Sequence, residues 1–152
     1  MKKSATPWLD KLHKAQPPVV KEGPENWNDR YGGARMLIAN AALVDTKVRT
    51  LSRGRLWTMS ELREALAVDF GADYTCPLTT GIFLRIIAEA AEEARAMGRP
   101  SETPWWRVVG DGGLLNPKLP GGGYLQAEKL QEEGFVIEPK GKSGVRVVLP
   151  NR

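Results

Sequence analysis

The sequence predicts an α+β fold that is mainly helical: a winged helix-turn-helix-like domain with small β elements and an irregular N-terminal arm. Three observations support this prediction. The middle of the chain shows apolar residues at helical spacing, the end shows two short alternating segments around a glycine-rich turn, and the beginning is rich in proline and glycine. We therefore divide the chain into an arm over residues 1–36 and a domain over residues 37–152.

Three helices are predicted in the central part of the chain. Apolar residues at helical spacing indicate the first, over residues 37–53. The second begins at Thr58, which forms a capping-box pattern with Glu61. The third and longest begins at Pro77 and ends at Gly98. Its apolar residues are expected to face one way, into the core: Leu78, Ile82, Phe83, Ile86, Ile87, Ala90, Ala94 and Met97.

The last third of the chain predicts short strands around one more helix. Residues 105–109 favour a strand, and residues 124–133 favour a helix. Residues 135–138 and 145–149 alternate as the strands of a hairpin. A helix-turn-helix core followed by a strand pair is the order of a winged helix.

Composition excludes several classes of function. The chain of 152 residues has a net charge of +4, a single cysteine, Cys76, and a single histidine, His13. These counts exclude an intramolecular disulfide and the usual zinc sites, so we expect no metal and no cofactor. No apolar run suggests a membrane span or a secretory signal, which predicts a cytoplasmic protein, associated with the nucleoid if it binds DNA. The slight excess of basic residues is compatible with a polyanionic partner.

Four short motifs share a spacing and order with a known family. They are Gly54-Arg55-Leu56-Trp57-Thr58-Met59-Ser60-Glu61-Leu62, Cys76-Pro77, Pro104-Trp105-Trp106-Arg107-Val108-Val109, and Gly121-Gly122 followed by Leu130-x-x-Glu133-Gly134. Residues 54–134 thereby resemble the C-terminal DNA-binding domain of the alkylguanine-DNA alkyltransferases. The similarity is greatest to the alkyltransferase-like proteins, in which tryptophan replaces the reactive cysteine.

The resemblance implies binding without catalysis. Trp105 stands at the family's cysteine position, Trp106 at its histidine position, and Glu133 at its glutamate position. An indole supplies neither a nucleophile nor a base at neutral pH, so methyl transfer is not expected and the protein is predicted not to be an enzyme. The resemblance implies a lesion pocket of Trp105, Trp106 and Glu133 for guanine alkylated on O-6. It also implies double-stranded DNA as a partner, and a signal to nucleotide excision repair proteins.

Further residues are candidates for DNA contact. Thr79 and Thr80 lie at a predicted helix N-terminus, where free N–H groups favour phosphate. The other candidates are basic: Arg53, Arg55, Arg85 and Arg107.

Several residues disfavour DNA binding. The family's phosphate-turning tyrosine falls on Met59, and its base-replacing arginine falls on Gly81. The acidic residues Glu89, Glu92 and Glu93 are expected to give the later part of the long helix a surface that repels phosphates.

Three alternatives remain open at this point. The chain could be an adaptor domain that kept the fold and lost DNA binding, which Met59 and Gly81 favour. It could be a general winged-helix DNA binder with no preference for damaged bases. It could also be an enzyme that uses Cys76, whose thiol stands at a predicted helix N-terminus.

Overall fold

The structure is a computed structural model that describes residues 7–14, 16–99, 103–142 and 144–150. It is an α+β fold, mainly helical, with small sheets, as predicted. The helices are α1 Trp8–His13, α2 Asn28–Tyr31, α3 Ala41–Val48, α4 Met59–Asp69, α5 Pro77–Ala96 and α6 Tyr124–Glu132. The strands are β1 Val19–Glu22, β2 Arg35–Ile38, β3 Trp57–Thr58, β4 Tyr74–Thr75, β5 Val108–Val109, β6 Ile137–Lys140 and β7 Gly144–Val147.

Helix α5 is the central element, and its start is confirmed. Pro77 occupies the first helical position, where its missing N–H has no intrahelical partner to lose. The residues that α5 buries are Thr80, Leu84, Ile87, Ala88, Ala90, Ala91 and Ala94, and the helix packs against α1 and α3. The predicted buried stripe is therefore wrong at Leu78, Ile82 and Met97, which are exposed. The observed core stripe is rotated toward Leu84.

The capping box at the start of α4 is confirmed. The Thr58 hydroxyl accepts the Glu61 backbone N–H at 3.2 Å, and the Glu61 carboxylate accepts the Thr58 backbone N–H at 3.0 Å. Leu62 and Leu66 of α4 have no exposed surface. Helices α4 and α5 form the predicted helix-turn-helix pair, with β4 in the connection between them.

The predicted helix over residues 37–53 is wrong at both ends. Leu37 and Ile38 belong to β2, the middle strand of a three-stranded sheet, which pairs antiparallel with β1 and parallel with β4. Burial of Leu37 between these strands outweighs the helical spacing of the sequence. The helix begins after Asn40, whose side chain accepts the Leu43 backbone N–H at 2.7 Å.

The N-terminal arm contains more regular structure than its proline and glycine content predicts. It contributes α1, β1 and α2, and β2 runs across the expected boundary at residue 36. The arm and the domain therefore share one sheet. Helix α1 is fixed at its start by the Glu93 carboxylate, which accepts the backbone N–H groups of Trp8 at 3.1 Å and Leu9 at 3.2 Å.

The C-terminal part follows the prediction except at the expected strand 105–109. Trp105–Arg107 forms a 3-10 turn in which the Arg107 N–H donates to the Pro104 carbonyl at 3.0 Å, so only β5 is extended. Strand β5 pairs in parallel with β3. The predicted helix is confirmed as α6, and the predicted hairpin is confirmed as β6 and β7. Over the described ranges, no helix is long and apolar enough to cross a membrane.

Candidate nucleic-acid interface

Trp105 is a core residue. Its side chain has 0% exposure, and its indole N–H donates to the Glu92 carboxylate of α5 at 3.0 Å. Its ring meets Trp106 edge to face, with centroids 6.0 Å apart. In this conformation Trp105 therefore cannot contact a base that approaches from solvent.

Glu133, at the end of α6, connects three separate segments. Its carboxylate accepts the Trp106 indole N–H at 2.6 Å, the Arg107 Nε–H at 3.0 Å and the Gly54 backbone N–H at 3.0 Å. The side chain is only 3% exposed. A buried carboxylate with a guanidinium partner and two further donors is well satisfied, and removal of one partner of such a pair is costly.

The predicted lesion pocket is filled rather than open. Arg107 and Lys129 both lie over the Trp106 ring, at 5.6 and 4.5 Å from its centroid, and Trp105 packs against its edge. The three predicted pocket residues do meet, but as a packed cluster. Of this cluster, neither indole offers a nucleophile, and the one carboxylate is fully engaged in hydrogen bonds.

Two of the predicted DNA contacts are corrected by the structure. Arg107 donates from Nε to the Glu133 carboxylate and from Nη1 to the Leu51 carbonyl at 2.7 Å. These donors are therefore engaged within the protein and not with DNA. Thr80 has no exposed surface, and its hydroxyl donates to the Cys76 carbonyl at 2.7 Å. Cys76 itself is buried, which disfavours a reactive thiol.

The other predicted contacts lie in two segments of the chain. Arg85 is exposed on α5, and Arg55 is exposed before β3. Arg53 donates to the Glu132 carbonyl at 2.7 Å, at the end of α6. Thr79, in the first turn of α5, has a buried hydroxyl with no hydrogen-bond partner among the described residues. Thr79 and Arg85 thus share α5, while Arg53 and Arg55 lie in the segment before β3.

A groove of about 490 Å³ lies beside the first half of α5. We call it the α5 groove. Leu78 and Ile82 of α5 supply apolar walls, and Trp8 of α1 supplies an aromatic one. Its charged residues are Lys11 of α1, Arg85 of α5, and Lys118 of the segment that precedes α6. The groove therefore combines apolar walls with positive charge from three parts of the chain.

The charge of the α5 groove is not neutralised from within the part of the chain that the structure describes. Its three cations make no ion pair with a carboxylate there, although Lys11 and Arg85 lie 4.1 and 5.4 Å from the Trp8 ring centroid. By contrast, Arg95 at the far end of the same helix is paired with Glu92 at 3.4 Å.

The structure also corrects the expectation that Glu89, Glu92 and Glu93 give α5 an acidic surface. Glu92 binds the Trp105 indole and Arg95, and Glu93 binds the start of α1. Two of the three carboxylates are therefore engaged within the protein and are not a free negative face.

Gly81 faces the α5 groove, and the protein's own packing does not require a glycine there. Apart from the neighbouring backbone of α5, a Cβ at Gly81 would meet no atom within 4 Å in the described part of the chain. The residue is helical, without a positive φ. A glycine inside a helix is less stable than alanine. Its absent side chain instead leaves the backbone of α5 open to the groove.

Sequence reasoning missed most of this groove. Trp8, Lys11 and Lys118 lie far from α5 in the chain, and Leu78 and Ile82 were assigned to the core. A usable signal was the pair Leu78 and Ile82 followed by Arg85, since these residues at i, i+4 and i+7 share one helical face.

We predict that the charge on Glu133 stabilises the fold and that this effect depends on pH. Burial by itself raises the pKa of Glu133, but hydrogen bonds from Gly54, Trp106 and Arg107 outweigh it and hold the pKa below 4.5. The charged form therefore stabilises the protein fully above about pH 4.5, and this stabilisation is lost as the pH falls through the folded-state pKa. Glu133→Gln should cost on the order of 2 kcal/mol at pH 7, measured by urea unfolding.

The difference between wild type and Glu133→Gln should shrink below pH 4.5. The neighbouring carboxylate Glu132 is exposed, so Glu132→Gln should change stability by less than about 0.5 kcal/mol and serves as the control. A difference that stays constant down to acidic pH would contradict the role of the charge.

We predict that Gly81→Ala stabilises the protein. The added methyl group meets open space and removes the entropic penalty of a helical glycine, so the gain should be roughly 0.5–1 kcal/mol. Urea unfolding measures it as a higher midpoint with an unchanged slope. A loss of stability would contradict the prediction that a methyl group fits at this position without a clash.

Comparisons with known proteins give one structural match. No protein-family model matches the chain, and no curated protein matches it. Among solved structures, the chain is similar to an alkyltransferase-like protein (ATL) from S. pombe, determined in complex with DNA. The identity is 19%, the match covers 70% of this chain and 85% of that chain, and the TM-score is 0.41. A similarity this low assigns neither a family nor a partner by itself.

Proposed function

We propose that this protein is a non-enzymatic DNA-binding protein that contacts duplex DNA through the α5 groove. The observation that carries the proposal is the set of three cations, Lys11, Arg85 and Lys118, which surround the exposed face of the second helix of a helix-turn-helix pair. The second helix is the one that such motifs place against DNA.

The charge distribution supports a polyanion as the partner. Neutralisation of phosphates by lysine and arginine releases counterions and supplies most of the affinity for DNA. The cations at the α5 groove are available for this role, whereas Lys47 and Arg107 are already paired with Asp69 and Glu133.

The absence of catalysis is supported by the chemistry of the cluster. By the resemblance of residues 54–134, Trp105 and Trp106 stand where the alkyltransferases carry a nucleophile and a base, and both indole N–H groups donate to carboxylates. The one cysteine of the chain is buried at the start of α5. Binding without alkyl transfer is therefore the proposed activity.

Recognition of guanine alkylated on O-6, and a signal to nucleotide excision repair, form the finer part of the proposal. They rest on the motifs of residues 54–134 that resemble the alkyltransferase-like proteins. Because Trp105 is enclosed, Trp106 is the indole that an extruded base would meet first, after displacement of Lys129. Tighter binding to a duplex with O-6-methylguanine than to the plain duplex supports this part, and equal binding removes it while general DNA binding stands.

A second candidate is an adaptor domain that binds a protein. The exposed aliphatic residues Leu78 and Ile82 favour it, since apolar surface on a monomer often marks a protein contact. The two candidates can be distinguished, because an adaptor domain is expected to show no salt-dependent binding to nucleic acid.

We predict that Arg85→Ala and Lys118→Ala weaken DNA binding and reduce its dependence on salt. Each lost phosphate contact should lower the slope of log affinity against log salt by about 0.9. Fluorescence anisotropy with a labelled plain duplex at several salt concentrations measures both quantities.

Arg95→Ala is the matched control, because Arg95 lies on the same helix but is paired with Glu92. It should leave the slope unchanged. If wild-type protein shows no salt-dependent binding at low salt, the proposed function is wrong and the adaptor candidate remains.

A further inference from the structure

Two aliphatic side chains stand out from the first half of α5. Leu78 is 68% exposed and Ile82 is 59% exposed. They are four residues apart, so they lie on one face of the helix, one turn above the other. The core does not account for this exposed pair, because α5 packs into the core through Leu84, Ile87 and Ala88.

The residues around Leu78 and Ile82 indicate the kind of partner that this surface binds. Among the described residues, the lining of the α5 groove includes the cations Lys11, Arg85 and Lys118 and no carboxylate. An apolar centre with positive charge around it matches duplex DNA, in which two rows of phosphates enclose a stack of apolar base faces. Proteins that bend DNA use this arrangement and insert leucine or isoleucine between neighbouring base pairs.

We propose that Leu78 and Ile82 form an apolar wedge that enters between base pairs of duplex DNA and bends it, an inference that rests on the proposed function. Arg85 lies one turn beyond Ile82 on the same face, where its guanidinium is placed to contact the backbone beside the opened step. The wedge contacts DNA without a base-specific hydrogen bond. Its sequence preference should therefore depend on how easily a given base-pair step unstacks.

Gly81 fits this geometry. A side chain at this position would project into the α5 groove beside the pair. Apart from the adjoining backbone of α5, no atom of the described residues lies within 4 Å of a Cβ placed there. Without a side chain, the helix backbone between Leu78 and Ile82 can approach the DNA closely. A helical glycine costs stability, and in this proposal its role is to let the backbone beside Leu78 and Ile82 come close to the DNA.

The test combines the double variant Leu78→Ser/Ile82→Ser with a duplex carrying a donor and an acceptor dye at its ends. The expected result is an affinity about tenfold lower, with the bend reported by energy transfer lost. The slope of affinity against salt should stay as in wild type, since serine removes no phosphate contact. The controls are Val68→Ser and Val136→Ser, which alter side chains that are 74% and 63% exposed on α4 and before β6.

Gly81→Ala is the second variant, chosen because the substitution is expected to strengthen the fold. It should bind the duplex several-fold more weakly than wild type. Unchanged affinity and bending in the double variant would overturn the wedge. If Arg85→Ala still lowers the salt slope in that case, the proposed function survives the failure. If wild type neither binds nor bends the duplex, both fail together.

Discussion

The structure depends on one buried ion pair. Glu133 and Arg107 join the end of α6 to the turn that carries Trp105 and Trp106, and through Gly54 and Leu51 they also fix the segment before β3. The Glu133 carboxylate accepts hydrogen bonds from Gly54, Trp106 and Arg107, so removal of Arg107 would leave a buried charge without its ion-pair partner. The position that a resemblance to transferases assigns to chemistry thus serves here to hold three segments together.

Helix α5 divides its length between two tasks. Its buried face packs against α1 and α3, while Glu92 and Glu93 of its second half bind Trp105 and the start of α1. Its first half keeps an exposed face beside three cations. Two carboxylates are therefore engaged near one end of the helix, and positive charge lies beside the other end. This asymmetry suits approach to a polyanion from the N-terminal side.

The sequence allowed correct prediction of elements that local signals define. The capping box at Thr58, the proline start of α5 and the hairpin of β6 and β7 each depend on residues close together in the chain. The predictions were wrong where contacts with residues distant in sequence determine the secondary structure or the burial of a residue. Leu37 joins a sheet through strands far apart in sequence, and Leu78 is exposed because α5 turns Leu84 toward the core. The α5 groove could not be predicted, since Lys11, Arg85 and Lys118 meet only in the folded chain.

The central claim is that the first half of α5 is the surface that meets DNA. The most direct measurement is a titration of the isotope-labelled protein with a short plain duplex, followed by backbone amide NMR signals. We expect shifts in the amide signals of residues 78–86 and of Asn116 and Lys118, and these shifts should disappear at high salt. Shifts confined to the hairpin of β6 and β7, with residues 78–86 unchanged, would contradict this assignment.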